Sequence, residues 1–337
     1  MVRAFKAIAK DAVNGAIASA GPLLLRLRRR PGLLILMYHR VLPERHPDRT
    51  REQPGMYVSP GTLDLHIRTL KELGFRFVHL DDWVRSTRRF EEHEGHSCAV
   101  TFDDGWRDNY DHAFPVLQAH AVPATIFLVS DMVGGDYSFW PNRLTRLLGA
   151  GSGDVLAAAP QWLRDLCPRI PDSPLQQHEI DVIIGICKQQ CTDQEMMDIL
   201  NACESQLPAI EVGRSLMDWN EISRLAASGL VRFGSHTRTH ARLTKVRDAA
   251  QLQDELEGSC NLIRQRLGIR PVLFCYPNGD TSTKVAAAVR AHYSAAVTTR
   301  RGWCRPGVDL LALPRIGLHE DVSSTRSAFV ARIVWSA

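Results

Sequence analysis

Short apolar runs and longer amphipathic stripes alternate along most of this chain. Runs with strand character occupy 33–39, 75–80, 97–103, 124–130, 230–235, 272–276, 295–299 and 312–318. Helical patterns lie between them. Ser59 and Pro60 supply an N-cap and a first-turn proline, and Gly74 closes that helix. Further helices are expected over 81–90, 109–120, 218–228, 247–267 and 282–292, with Gly229 and Gly268 as stop signals. The alternation predicts an α/β fold whose parallel sheet is closed, or nearly closed, into a barrel.

Two segments break the rhythm. Residues 137–217 hold no clear strand and include a long helical stretch, 175–206. This reads as a helical insertion after the strand 124–130, on the face where barrels place their chemistry, where it either walls or caps the substrate cleft or forms a stabilising appendage away from it, the cap being favoured. Residues 1–30 set Phe5, Ile8, Ala12, Val13 and Ile17 at helical spacing, followed by Arg26, Arg28, Arg29 and Arg30. Lys10, Asp11 and Asn14 interrupt the apolar run that a secretory signal needs. The pattern fits a basic amphipathic helix that either lies on an anionic membrane face or packs on the domain. Residues 31–337 are then one catalytic domain.

Composition changes this picture little. Apolar residues make up 45% of the 337, enough for a large core, and 41 basic against 37 acidic residues leave a net charge of +4. No basic patch with interleaved aromatics appears, so nucleic acid is not an expected partner. Eight scattered cysteines in apolar surroundings suit buried thiols in a reducing compartment, which points to the cytoplasm, at the inner face of the membrane if the N-terminal helix docks there.

The candidate chemistry sits at two strand ends. Thr101-Phe102-Asp103-Asp104-Gly105 places adjacent carboxylates after one strand, and Ser235-His236-Thr237-Arg238-Thr239-His240 places two histidines four apart after another. One Asp and two His can hold a divalent metal and leave positions for water and substrate, while the spare Asp serves as a base. Thr237 stands where the zinc-peptidase motif has its glutamate, so the base must come from elsewhere, and Asp103 is available. Two His and a carboxylate suit zinc first, with cobalt, nickel, iron or manganese as alternatives.

Thr-Phe-Asp-Asp-Gly and Ser-His-Thr-x-Thr-His resemble the first and second motifs of the NodB-like polysaccharide deacetylases, carbohydrate esterase family four. The run Leu36-Met37-Tyr38-His39-Arg40-Val41 and the segment Asp218–Gly229 are similar to that family as well. The resemblance covers about 33–136 and 215–322. It implies a distorted (β/α) barrel of seven or eight mostly parallel strands, with Asp103 as catalytic base and Asp104, His236 and His240 as metal ligands. The family's third motif, Arg-Pro-Pro-Tyr-Gly, reads Cys275-Tyr276-Pro277-Asn278-Gly279 here. The base-orienting arginine is therefore absent from its usual place. Arg305 and Arg315 are candidate replacements, and Arg315 is favoured because it precedes the Ile316–His319 rim. A backbone donor near Tyr276–Asn278 survives the side-chain change. Leu318-His319-Glu320-Asp321 resembles the late motif and makes His319 a candidate general acid. His39, Tyr276, Asn278 and Arg315 complete the expected substrate-side set.

These readings imply a metal-dependent hydrolase that removes N-acetyl groups from an amino-sugar polysaccharide or glycan precursor, within cell-surface or exopolysaccharide assembly. The alternatives are an O-acetyl esterase or small-amide hydrolase on the same site, and a non-catalytic saccharide-binding scaffold.

Overall fold

The computed structural model describes residues 32–50, 52–86, 95–135, 138–149, 155–167, 175–206 and 213–336. The expected N-terminal helix, 1–30, lies outside these residues, as do 87–90 of the helix expected over 81–90. Among the described residues ten strands run in chain order: β1 (Gly32–Tyr38), β2 (Arg40–Val41), β3 (Tyr57–Val58), β4 (Arg76–Phe77), β5 (His96–Phe102), β6 (Ala124–Leu128), β7 (Val231–Ser235), β8 (Leu273–Cys275), β9 (Ala295–Arg301) and β10 (Leu313–Gly317). The helices that matter for the site are α1 (Pro60–Glu72), α2 (Phe114–His120), α3 (Trp140–Gly149), α4 (Gln161–Asp165), α5 (Gln177–Gln190), α6 (Asp193–Glu204) and α7 (Trp219–Ala227).

Seven strands close a parallel barrel in the order β1-β10-β9-β8-β7-β6-β5, and β5 pairs back onto β1 from Gly32↔His96 to Tyr38↔Phe102. The short β4 is an eighth strand. It pairs with the first residues of β5, Ser97 and Cys98, while β6 takes Val100–Phe102. The two-residue pair β2–β3 forms a separate ladder that the sequence pattern did not reveal.

Strand alternation sorts side chains between the barrel's inside and its helical coat. On β1 and β5, Leu34, Leu36, Tyr38, Cys98, Val100 and Phe102 pack outward with Leu63, Ile67 and Leu70 of α1. Their neighbours Leu33, Ile35 and Ala99 pack instead with Phe127, Leu273, Cys275, Val297 and Leu313. Residues 101, 103 and 315 share that second parity, which brings them to the upper end of the barrel interior.

The stretch 175–206 is two helices, not one. Cys191 is extended (φ −117, ψ 156), and Thr192 starts α6 with a capping box to Glu195. Helix 247–267 is likewise interrupted by a wider turn at Asp254–Gly258. Helices α3–α6 bury their own apolar cluster around Leu144, Leu148, Leu163, Ile184, Cys187, Met196 and Leu200. All eight cysteines are free.

Candidate active site

Asp103 and Asp104 follow β5 directly, and His236 and His240 follow β7, so both pairs emerge at the carboxyl end of the barrel. Backbone strain collects here. Of the five non-glycine residues with positive φ among the described residues, four are Asp104 (75°), Thr237 (68°), His240 (63°) and Asn278 (59°). Such conformations cost about 1–3 kcal/mol each and persist where the surroundings hold them for a purpose.

Three groups converge. Asp104 Oδ1 lies 3.4 Å from His236 Nε2 and 3.5 Å from His240 Nε2. That oxygen is buried and has no hydrogen-bond partner. Its sister Oδ2 accepts from Trp106 Nε1 at 2.9 Å, which fixes the carboxylate plane. His236 Nδ1 donates to the Cys275 carbonyl at 2.8 Å, so Nε2 is the nitrogen that faces Asp104 and can bind an ion once it gives up its proton. An orphaned buried carboxylate oxygen facing two imidazole nitrogens is a donor set that fits a divalent metal, and these three residues can share one ion. Burial works against the charge on Asp104, but His236 and His240 outweigh it and hold the carboxyl below the usual range. Burial pulls His240 down to about 4.

Asp103 is held differently. Arg315 Nη1 and Nη2 donate to its two oxygens at 2.7 Å each, a bidentate pair with both side chains buried. The same guanidinium is fixed by the Thr298 carbonyl (3.0 Å), Thr101 Oγ1 (3.1 Å) and Cys275 Sγ (3.2 Å). Burial alone would raise the Asp103 carboxyl, yet the adjacent Arg315 charge holds it below the usual carboxylate range. Of the two roles the sequence offers for Arg315, the structure supports partner of Asp103 and not substrate-side residue. At 1% exposure, with its Nε and both terminal nitrogens bonded, it acts on Asp103 and does not face the cleft.

The remaining expected residues are spread around this centre. His39 Nε2 stands 3.8 Å from Asp103 Oδ2, on a peptide whose carbonyl accepts from Asn109 Nδ2. Tyr276 turns its phenol into the core, where the hydroxyl donates to the Leu311 carbonyl. Its N–H is spent on the Val297 carbonyl, while the residue itself lines the cavity at the site. Asn278 lines the cavity at the site. His319 follows β10 at the rim and hydrogen-bonds Asp321 at 3.1 Å, but it is not among the residues lining that cavity.

The cavity measures about 240 Å³ and is lined by both aspartates and both histidines. One wall comes from the segment between β6 and β7: Phe139, Trp140, Pro141, Asn142, Lys188 and Asp193. Trp140 Nε1 donates to Asp193 at 2.8 Å, and Arg242, two residues past His240, pairs with the same aspartate at 3.0 Å. Trp106, Lys188, Asp193 and Arg242 were not singled out in the sequence. Only Trp106 carried a local signal, as the first side chain after Asp104-Gly105.

The family description of polysaccharide deacetylases matches residues 91–156 and 175–296, more than half of the chain. The chain belongs to the polysaccharide deacetylase family. Solved structures of similar fold include the Bacillus cereus polysaccharide deacetylase BC0361 (20% identity, 89% of this chain and 68% of that one, TM-score 0.58). IcaB from Ammonifex degensii is also similar (21% identity, 89% of this chain and 97% of that one, TM-score 0.58). A curated Bacillus subtilis (strain 168) relative, YxkH, is 26% identical over 119 residues, which is 35% of this chain and 39% of that protein. At these identities the solved structures speak for the barrel alone.

Proposed function

We propose that this family member is a metal-dependent hydrolase that removes N-acetyl groups from amino-sugar units of a polysaccharide or glycan precursor. The observation that carries this reading is the buried, partnerless Asp104 Oδ1 facing His236 and His240 beside a second carboxylate held ionised by Arg315. Asp104, His236 and His240 would hold the ion, zinc being the best match to the donor set. A divalent ion there supplies Lewis acidity, polarising the acyl carbonyl and lowering the pKa of water.

The protein's own groups do the rest. Asp103, ionised by its Arg315 partner, accepts the proton of the attacking water. Pro277 has no N–H and that of Tyr276 is used within the sheet, so the Asn278 N–H is the donor for the carbonyl oxygen as it gains negative charge. A proton must return to the leaving nitrogen, because an amine anion cannot depart unaided, and His319 at the rim, outside the cavity lining, is the candidate acid. The products are acetate and a free amino sugar. Phe139, Trp140 and Pro141 offer the apolar surface against which a sugar ring can lie.

The test is acetate release from a panel of N-acetylated saccharides, with and without a chelator, by wild-type protein and Asp103→Asn. We expect chelator-sensitive release that falls by about 10²–10⁴-fold in the variant while metal content is retained. Absence of release from every saccharide by metal-loaded wild type, or release indifferent to chelation, refutes the reading.

A further inference from the structure

Lys188 reaches the catalytic cavity from outside the barrel. It belongs to the last turn of α5, in the helical segment between β6 and β7, and lines the same cavity as Asp103, Asp104, His236 and His240. Its ammonium is half-buried and donates to Asn278 Oδ1 at 3.4 Å, a long contact for a charged donor. Burial and the nearby Arg242 charge pull its pKa below the ordinary lysine value, against Asp193, Asp280 and Asp104, which are near enough to act on it electrostatically. Among the described residues, none of them forms an ion pair with it. A cation that gives up water to enter a cavity, and finds only an amide oxygen at the edge of hydrogen-bond range, has donor capacity left over.

Its placement is not a matter of a long side chain wandering in. The Lys188 backbone carbonyl accepts from Arg242 Nη1, the Cys191 carbonyl accepts from Arg242 Nη2 at 2.6 Å, and the Gln189 carbonyl accepts from Lys245 Nζ at 3.3 Å. Arg242 also pairs with Asp193 at the start of α6. The orphan carbonyls at the end of α5 are thus satisfied by the barrel loop that carries His240. Helix, lysine and metal loop are tied to one another directly. The amide that Lys188 touches belongs to Asn278, the residue whose N–H faces the developing charge in the proposed reaction.

We propose that Lys188 is a catalytic residue supplied by the helical insertion: its ammonium contacts the acyl carbonyl oxygen of the substrate and stabilises the negative charge that builds there as water attacks. This rests on the deacetylase reading of the site. It assigns to this chain a second, charged donor on the oxyanion side, in addition to the Asn278 N–H. A donor of this kind strengthens as charge develops, so its loss is felt in kcat and hardly in KM.

The experiment compares wild type, Lys188→Met, Lys188→Arg and Asp103→Asn as metal-loaded full-length proteins. It measures kcat and KM for acetate release from an N-acetylated oligosaccharide, the Ki of a tetrahedral phosphonate analogue of the acyl group, thermal midpoint and metal content. Lys188→Met should lower kcat by about 10²-fold, leave KM within about twofold, and weaken the phosphonate by a similar factor. Lys188→Arg should recover part of the loss. Metal content and thermal midpoint should match wild type, a combination that a purely structural role would not give. Unchanged kcat in Lys188→Met, or a rise in KM at constant kcat, overturns the assignment. If Asp103→Asn is impaired in that case, only the lysine proposal falls. If Asp103→Asn is unimpaired too, the site reading on which it rests falls with it.

Discussion

At the scale of residues, the guanidinium that pairs with Asp103 comes from β10 and not from the third motif. The third motif carries Cys275 where the resembling family has arginine, and Arg315, on β10, delivers its guanidinium to Asp103 over that small side chain. The sequence offered the carboxylates and histidines through their spacing. It offered Arg315 only as one of two candidates, since which arginine of a late strand points inward depends on strand register. Removing the partner leaves a buried carboxylate uncompensated, so Arg315→Met should destabilise the fold by about 3–5 kcal/mol. The sign with pH follows. Asp103 titrates lower folded than unfolded, so the pair's stabilisation is present above the unfolded carboxyl value and lost as pH falls through the folded one. Without Arg315, burial dominates and raises the carboxyl, so the acidic limb of the rate profile should move to higher pH. An unmoved limb would separate Arg315 from the base. His319 is tested by leaving group: His319→Ala should lose about 10²-fold or more on the N-acetyl substrate and much less on a phenyl acetate ester, whose phenolate departs unprotonated. Equal losses on both would remove His319 from the acid role.

Elements carry the chain's individuality. Strand and helix periodicity located the eight strands of the main sheet because each is short, apolar and ended by a turn. The same periodicity ran α5 and α6 together, since Cys191 and Thr192 interrupt the helix through a local capping choice that apolar spacing does not register. The cavity wall formed by Trp140, Lys188 and Asp193 was invisible for a related reason. These residues meet only when α3, α5 and α6 fold over the barrel mouth, and no spacing along the chain records that. Arg242 is the clamp, holding Asp193 and the last carbonyls of α5 from a position two residues beyond His240. Arg242→Met should therefore loosen the wall without unfolding the barrel. The expected signs are faster limited proteolysis within 155–206 and a KM raised about tenfold, equivalent to about 1.4 kcal/mol of binding. Unaltered proteolysis and KM would show that the segment holds its place by apolar packing alone.

For the whole molecule, the proposed ligands Asp104, His236 and His240 come from the loops that follow β5 and β7, two separate points of the closed barrel. Cross-linking those points by an ion should stabilise the native state, because the unfolded chain offers no matched three-ligand site. Metal at about 100 times its dissociation constant contributes about 2.7 kcal/mol, worth about 3–5 °C in thermal midpoint for a chain of this size. Chelation should remove that increment and added zinc should restore it. The effect should shrink as pH falls. Burial opposes a proton on His236, but the neighbouring Cys275 and Asp104 outweigh it and hold its pKa well above the ordinary value, so protons compete with metal for Nε2. In Asp104→Asn the midpoint should no longer respond to chelator or zinc. An Asp104→Asn protein that still gains stability from zinc would place the ion on other side chains and undo the three-ligand assignment, whatever its activity.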